Sequence, residues 1–287
     1  MRILLTGGTG FIGSAVLDVL VGAGHDVRAV VRSDRSASEV TARGATALRL
    51  DLFDVEATAV AFADVDAAVH AAAPEQGADE LNAAVVEAAI RAFGDGGGRF
   101  VLTSGVWVRG AGADLVEDAP LDTAPELVAW RVPLEERLLA SSVDARIVEP
   151  GVVYGHGRGL LRLITDAPRS AGGALRLIGD GRQHWTWVHV DDLARLYLAV
   201  LEHDGPVRRV IGSDGAPTTV RSIAESVAGP AGVVPESAEA TRARLGTALA
   251  DSLMLDQAAR GGLARSLGWE PEHTGVLDEV AEARRAA

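Results

Sequence analysis

The chain has 287 residues, with 40 acidic against 27 basic side chains, a net charge of −13, 48% hydrophobic residues and no cysteine. This balance opposes non-specific binding to nucleic acid or to an anionic membrane, and the missing cysteines exclude disulfides, thiolate metal sites and cysteine nucleophiles. All 27 basic residues are arginine, with no lysine anywhere, and a guanidinium does not give up its proton in a protein.

The length suits one large α/β domain or two subdomains sharing a cleft. No apolar run approaches the roughly 18 to 20 residues of a membrane span. Met1-Arg2-Ile3-Leu4-Leu5 runs directly into Thr6 and glycines instead of a signal-peptide core, so a soluble cytoplasmic protein is expected. Short Val-, Ile- and Leu-rich runs predict strands at Arg2 to Thr6, Asp26 to Val31, Ala47 to Leu50, Ala67 to His70, Arg99 to Thr103 and Asp144 to Val148. Helical spacing predicts Phe11 to Ala23, ending at Gly24, and Asp79 to Phe93. The alternation is that of a Rossmann-type, doubly wound parallel sheet. Beyond Pro150 the rhythm loosens, predicting a helix at Gly159 to Asp166, a strand at Leu175 to Ile178 and a helix at Asp191 to Glu202, with Asp191 and Asp192 capping and starting it. The expected division is a dinucleotide-binding domain at 1–150 and a smaller substrate lobe at 151–287.

Thr6-Gly7-Gly8-Thr9-Gly10-Phe11-Ile12-Gly13 follows the first strand and opens the first helix, the setting that gives a glycine loop its meaning. Gly7 permits a tight turn, Gly10 lets the backbone approach a pyrophosphate and Gly13 allows close packing, while the amides of Phe11 and Ile12, after Thr9, face the anion. Where an NAD-specific site places an acid after the second strand, this chain has Arg32, Ser33, Asp34 and Arg35. A guanidinium there can grip a 2′-phosphate through charge-assisted bonds worth on the order of 1.5 to 3 kcal/mol. NADP(H) is therefore favoured, with NAD(H) left open through Asp34.

With these residues, the chain resembles the extended and atypical short-chain dehydrogenase/reductase superfamily, in its NAD(P)-dependent epimerase/dehydratase-like branch. The resemblance implies an adenine contact at Asp51-Leu52, a cofactor ribose contact at Ala71, Ala72 and Ala73 after His70, and a nicotinamide contact along Pro150-Gly151-Val152-Val153-Tyr154-Gly155. Trp187-Val188-His189-Val190-Asp191-Asp192 is similar to a segment that shapes the substrate lobe. The family's usual proton donor, a Tyr-x-x-x-Lys pair, is missing: the aligned positions are Trp130 and Leu134. What stands there, Trp130-Arg131-Val132-Pro133-Leu134-Glu135, is similar to an atypical subgroup carrying Arg and Glu, and Pro133 kinks or restarts the helix. Gly105 takes the place of the active-site serine, with Ser104 before it, free either to bond a substrate oxygen or to satisfy backbone. Glu149 stands where the family often has arginine, a change the sequence does not explain.

The candidate catalytic residues are thus Ser104, Arg131, Tyr154 and His184. Without a cation partner Tyr154 should stay near a pKa of about 10 and be a poor donor. His184 lies in an aromatic cluster with Trp185, Trp187 and His189, where His189 reads as structural. No metal site is expected, because the seven histidines lack close ligand spacing. The reading is an NADP-dependent reductase of atypical mechanism acting on a small molecule as a monomer or homodimer. A non-redox cyclase, isomerase or dehydratase and a silent NADP-sensing protein are its alternatives.

Overall fold

The computed structural model describes residues 1–286. The chain opens with β1 (Arg2–Thr6), α1 (Phe11–Gly22), β2 (Asp26–Val31), α2 (Asp34–Ala42), β3 (Thr46–Arg49), α3 (Val55–Ala63), β4 (Ala67–His70), α4 (Ala78–Phe93) and β5 (Arg99–Thr103). A 3-10 turn at Val106–Arg109 and a small strand, β6 (Gly112–Leu115), lead to α5 (Glu126–Ala129), α6 (Arg131–Ala140) and β7 (Asp144–Pro150). Then follow β8 (Val152–Gly155), β9 (Arg158–Gly159), α7 (Arg162–Thr165), β10 (Leu175–Arg176), β11 (His184–Trp185), β12 (Trp187–His189), α8 (Val190–Glu202) and β13 (Arg209–Gly212). Seven strands form one parallel sheet in the order β13-β7-β5-β4-β1-β2-β3. The winding reverses between β1 and β4, which opens a crevice at their carboxyl ends.

Apolar side chains of α1 (Val16, Leu17, Leu20) and α8 (Leu193, Leu196, Val200) cover one face of the sheet. Those of α3, α4 and α6, with Phe62, Val85, Phe93 and Leu138, cover the other. A separate core of Val152, Tyr154, Ile164, Trp185, Trp187 and Ile223 fills the lobe. Helix α1 stops where its sequence says it should, with Gly24 in the left-handed region (φ 81°) and its N–H on the Val21 carbonyl. Among the described residues, no helix is long and apolar enough to cross a membrane.

Several elements differ from the sequence expectation. The seventh strand, β13, lies after residue 150 yet completes the sheet, pairing Val210 with Val148; its brief Val-Ile-Gly run after two arginines carries no clear strand signal. The helix expected at Gly159 to Asp166 is instead β9, paired back on β8, followed by the single turn of α7. Gly159 is at φ 87°, a value a helix cannot accept. The strand expected over Leu175 to Ile178 is only the two residues of β10, and α2 and α3 are helices where none was expected. The cap of α8 is His189, whose Nδ1 accepts the Asp191 N–H at 3.2 Å; Asp191 and Asp192 occupy the first turn. The break expected from Pro133 falls at Trp130, between α5 and α6, because proline has no N–H for the carbonyl four residues back, at Ala129.

One cluster of buried charge ties these layers together. Glu149, at the end of β7 and fully buried, accepts Arg109 Nε at 2.5 Å and Nη2 at 3.1 Å. It also accepts Arg209 Nη1 from β13 at 2.8 Å, and the same nitrogen reaches Glu135 of α6 at 2.7 Å. Arg109 further donates to the carbonyls of Val116, Glu117 and Ala119. Glu149, unexplained in the sequence, is therefore the acceptor that lets two guanidiniums be buried. Removing one partner of such a cluster strands the others, at a cost of about 3 to 5 kcal/mol.

Two expected outcomes follow from this packing. Glu149→Ala should lower the unfolding free energy by about 3 to 5 kcal/mol in urea titrations, and a loss below about 1 kcal/mol would contradict the role given to the cluster. The second concerns Asp214, just beyond β13 and 5% exposed. One of its oxygens accepts the Ala216 N–H at 2.8 Å and the other has no partner. Burial pushes its carboxyl up from 3.8 to about 7, while the Ala216 N–H and Arg265 pull the other way. Because the folded value lies above the unfolded one, stability contributed by the neutral carboxyl is present below about pH 4 and is lost as pH rises through about 7. Asp214→Asn should therefore raise the melting temperature at about pH 8 and have a vanishing effect near pH 4; equal effects at both pH values would refute this.

Candidate functional site

The glycine loop lies between the ends of β1 and β4, at the reversal of the winding. Gly7 is at φ 76°, and a Cβ there would stand 2.6 Å from the carbonyl carbon of Ala71, so only glycine lets the loop lie against Ala71 and Ala72. A Cβ on Gly13 would fall 2.1 Å from the Gly7 oxygen, and one on Gly10 3.1 Å from it. Gly13 is thus demanded by the loop folding back on itself. Gly10 donates to the Gly7 oxygen at 2.8 Å. As N-cap of α1, Gly10 offers no side-chain cap, and the first turn of α1 carries no acid. Helix α1 therefore begins with uncapped N–H groups at its positive end, between exposed Thr9 and half-buried Phe11 and Ile12, an arrangement that fits a pyrophosphate.

At the end of β2, Arg32 is exposed and, among the described residues, has no ion-pair partner. Asp34 is taken: its carboxylate is bonded by Arg49. Ser33 caps α2, its hydroxyl accepting the Ser36 N–H at 3.1 Å. After β3, Asp51 is exposed and accepts the Phe53 N–H at 3.0 Å, while Leu52 packs on the core under α3. Ala73 is exposed beside half-buried Ala71 and Ala72, and the Ala71 N–H reaches the Thr6 carbonyl at 3.3 Å.

The ends of β4 and β5 carry the polar groups. Thr6 Oγ1 and His70 Nδ1 are 2.7 Å apart, and His70 Nε2 is buried without a partner. Burial, with the nearby Arg131 charge, pushes the imidazole down to about 3, so it is neutral. Ser104 is 8% exposed with no hydrogen bond from its hydroxyl. Arg131 donates Nη1 to the carbonyl of Thr103 at 3.1 Å and lies 4.5 Å over the Trp130 ring. Burial pulls its guanidinium down from the ordinary value, with Glu135 opposing. The structure therefore gathers Ser104 and Arg131, through neighbouring residues of one strand, and adds His70.

It does not gather Tyr154 and His184 with them. Tyr154 is 1% exposed in the lobe core, edge-on to Trp187 and His189 at 5.9 and 5.2 Å. Its hydroxyl has no partner, and burial, with Asp214 and Asp192, pushes the phenol further up from its ordinary value. The strand alternation explains this: Val152 and Tyr154 face the lobe core while Val153 packs toward the sheet core. His184 is paired through Nδ1 with Asp256 at 2.9 Å and borders β14 (Thr218–Thr219). Pro150 ends β7 as a buried residue, and the Gly151 N–H bonds the Gly212 carbonyl at 2.8 Å.

Sequence reading missed two groupings. Arg158 lies 4.8 Å over the ring of Phe11, so the β8–β9 hairpin rests on the glycine loop. His156, His189 and Asp191 bring ligand atoms within 4.8 Å of one another, with His156 Nε2 at 3.0 Å from Asp191. His156 and His189 are separated by the whole β9–β12 segment, and no local spacing signals their meeting. That trio has metal-ligand chemistry, although His189 Nδ1 already accepts the helix-cap N–H.

Comparisons with known proteins show the family and the fold. A family model described as NAD(P)H-binding matches residues 7–204. The 3-diazoavenalumate denitrifying reductase of a Streptomyces species is 31% identical over 307 residues, covering 97% of this chain and 98% of its own. Among solved structures, MoeE5 in complex with UDP-glucose and NAD matches with a TM-score of 0.75 at 21% identity, covering 100% of this chain and 99% of that one. The human epimerase family protein SDR39U1 with NADPH gives 0.72 at 22% identity, over 98% and 99% of the two chains. These superpositions show the Rossmann-type fold. The chain accordingly belongs to the NAD(P)H-binding family, and it has no lysine from which a Tyr-x-x-x-Lys pair could be built.

Proposed function

We propose that the chain is an NADP-dependent reductase that delivers hydride to a small organic acceptor without the help of a phenol–ammonium pair. The observation that carries this reading is the makeup of the β4–β5 edge, where one guanidinium and one hydroxyl, Arg131 and Ser104, are the groups available to a substrate oxygen. When bound, the cofactor supplies the hydride. The uncapped amides at Phe11 and Ile12 would hold the pyrophosphate, and Ala71, Ala72 and Ala73 the ribose. Pro150 and half-buried Val153 would wall the nicotinamide, Val152 being turned into the lobe core, and the lobe after Gly151 would close over the substrate.

NADP is preferred because Arg32 stands free at the end of β2 while Asp34, the one acid placed to bond a ribose, is held by Arg49. Ser33 adds a hydroxyl at the start of α2.

Hydride transfer to a simple ketone leaves an alkoxide that needs a proton. Arg131 stays charged, His70 is neutral, and Tyr154 is buried in another core, so none of them replaces the dyad. Acceptors that tolerate hydride first, such as an iminium or an activated double bond, suit the site.

Arg32→Ala should weaken NADPH binding by about ten- to a hundred-fold, the equivalent of 1.5 to 3 kcal/mol, and leave NADH binding unchanged in fluorescence titrations. Unchanged NADPH affinity, or a wild type that prefers NADH, would remove the case for NADP. In anaerobic single-turnover mixing, loss of the reduced nicotinamide absorbance is expected with iminium and enone probes and much more slowly with saturated ketones. A protein that turns over a substrate with no absorbance change would instead be a non-redox enzyme.

A further inference from the structure

Arg131 is a half-buried guanidinium with no direct ion pair among the described residues, the Glu135 charge acting on it only from beyond contact distance. Among the described residues it donates one hydrogen bond, from Nη1 to the Thr103 carbonyl, and no carboxylate lies within ion-pair distance. The acid one helical turn on, Glu135, gives one oxygen to Arg209 at 2.7 Å, and its other oxygen has no hydrogen-bond partner. Trp130 covers one face of the guanidinium at 4.5 Å. Its Nε and Nη2 therefore have no protein acceptor. These two N–H groups form the straight edge of the fork that matches the two oxygens of a carboxylate. A charge partly withdrawn from water and left unpaired is costly, and every other arginine in the buried layers of this chain, Arg109, Arg146 and Arg209, has a carboxylate within reach.

A second, independent observation lies beside it. The residue after Thr103 is Ser104, whose hydroxyl is buried and bonded to nothing, at the same carboxyl end of β5. A buried hydroxyl without a partner is uncommon in a folded chain. A ligand oxygen would satisfy it and the guanidinium together.

From this we infer that the substrate is an acid: an organic molecule whose carboxylate is held by the Nε–Nη2 edge of Arg131 and by the Ser104 hydroxyl. The inference rests on the reading of the β4–β5 edge as the substrate site and adds the substrate class to it. Arg131 is then the specificity-determining residue, fixing the acid end so that the reducible group reaches the nicotinamide side of the crevice. A neutral amide of the same shape loses the ionic half of this contact.

The test reads binding and is independent of hydride transfer. Acetate, benzoate and cinnamate, each against its own amide, are titrated by calorimetry into the protein saturated with NADP+. At least one acid should bind ten-fold or more tightly than its amide. Arg131→Gln should remove that preference by weakening the acid while leaving the amide and NADP+ affinities unchanged, and Arg131→Lys should restore part of it. Ser104→Ala, a smaller change to the fold, should weaken the acid by a few-fold and serves if the Arg131 variants do not fold. If no acid is preferred over its amide, or if the preference survives Arg131→Gln, the inference is wrong. A protein that binds acids selectively but never oxidises NADPH would overturn the reductase reading and leave this one standing.

Discussion

The buried contact among Arg109, Glu149, Arg209 and Glu135 is the constraint on which the rest of the arrangement depends. It joins the turn after β5, the end of β7, the edge strand β13 and helix α6 at one point. Each of these elements contributes to the cleft: the turn follows Ser104, β7 delivers Pro150, and α6 begins with Arg131. A cluster of this kind adds little net stability compared with an apolar core, but it tolerates few alternative registers. Its value here is positional. By holding one oxygen of Glu135 on Arg209, it also leaves Arg131 without a direct ion pair among the described residues.

Much of this molecule was legible in its sequence, and the failures have physical causes. The doubly buried strands declared themselves because a parallel sheet covered on both faces is read as continuous apolar runs. The glycine loop was legible because strand, glycine spacing and helix occur together. Strand β13 was not, since two apolar residues, Val210 and Ile211, between arginines and a glycine have no period to detect. The helix expected at Gly159 to Asp166 shortens to α7, because Leu160, Leu161 and Leu163 offer helical spacing while the positive φ of Gly159 puts the start of that span in the β8–β9 hairpin. Glu149 looked arbitrary in the sequence because its partners, Arg109 and Arg209, lie on distant segments. The same limit hid the approach of His156 to Asp191 and the lack of any partner for Arg131, since an unpaired charge is a property of three-dimensional surroundings.

In the proposed reading, cofactor binding and chemistry separate in this chain. Under the proposed reading, the pyrophosphate end of the site needs only backbone and small residues, which the loop from Gly7 to Gly13 supplies. The reacting end needs a titratable pair, and a chain without lysine cannot build the usual one. Tyr154 shows that a phenol alone does not substitute. Sealed among Trp187 and His189, it is held in its neutral form by the apolar surroundings that make it a good core residue. Under the proposed reading, the acceptors are those that can do without a proton donor.

The course of the backbone after Pro150 has a consequence for how such a protein can change. The chain leaves the sheet at Pro150, returns to it through α8 and β13, and leaves again after Gly212, so the lobe is sewn into the sheet along several seams. Residues 1–150 alone would lack both the edge strand beside β7 and the α8 layer over α1. A lobe connected in this way is not a cassette that recombination can exchange whole. New substrates must be reached by single replacements along the cleft wall, one side chain at a time, on a frame that stays in place.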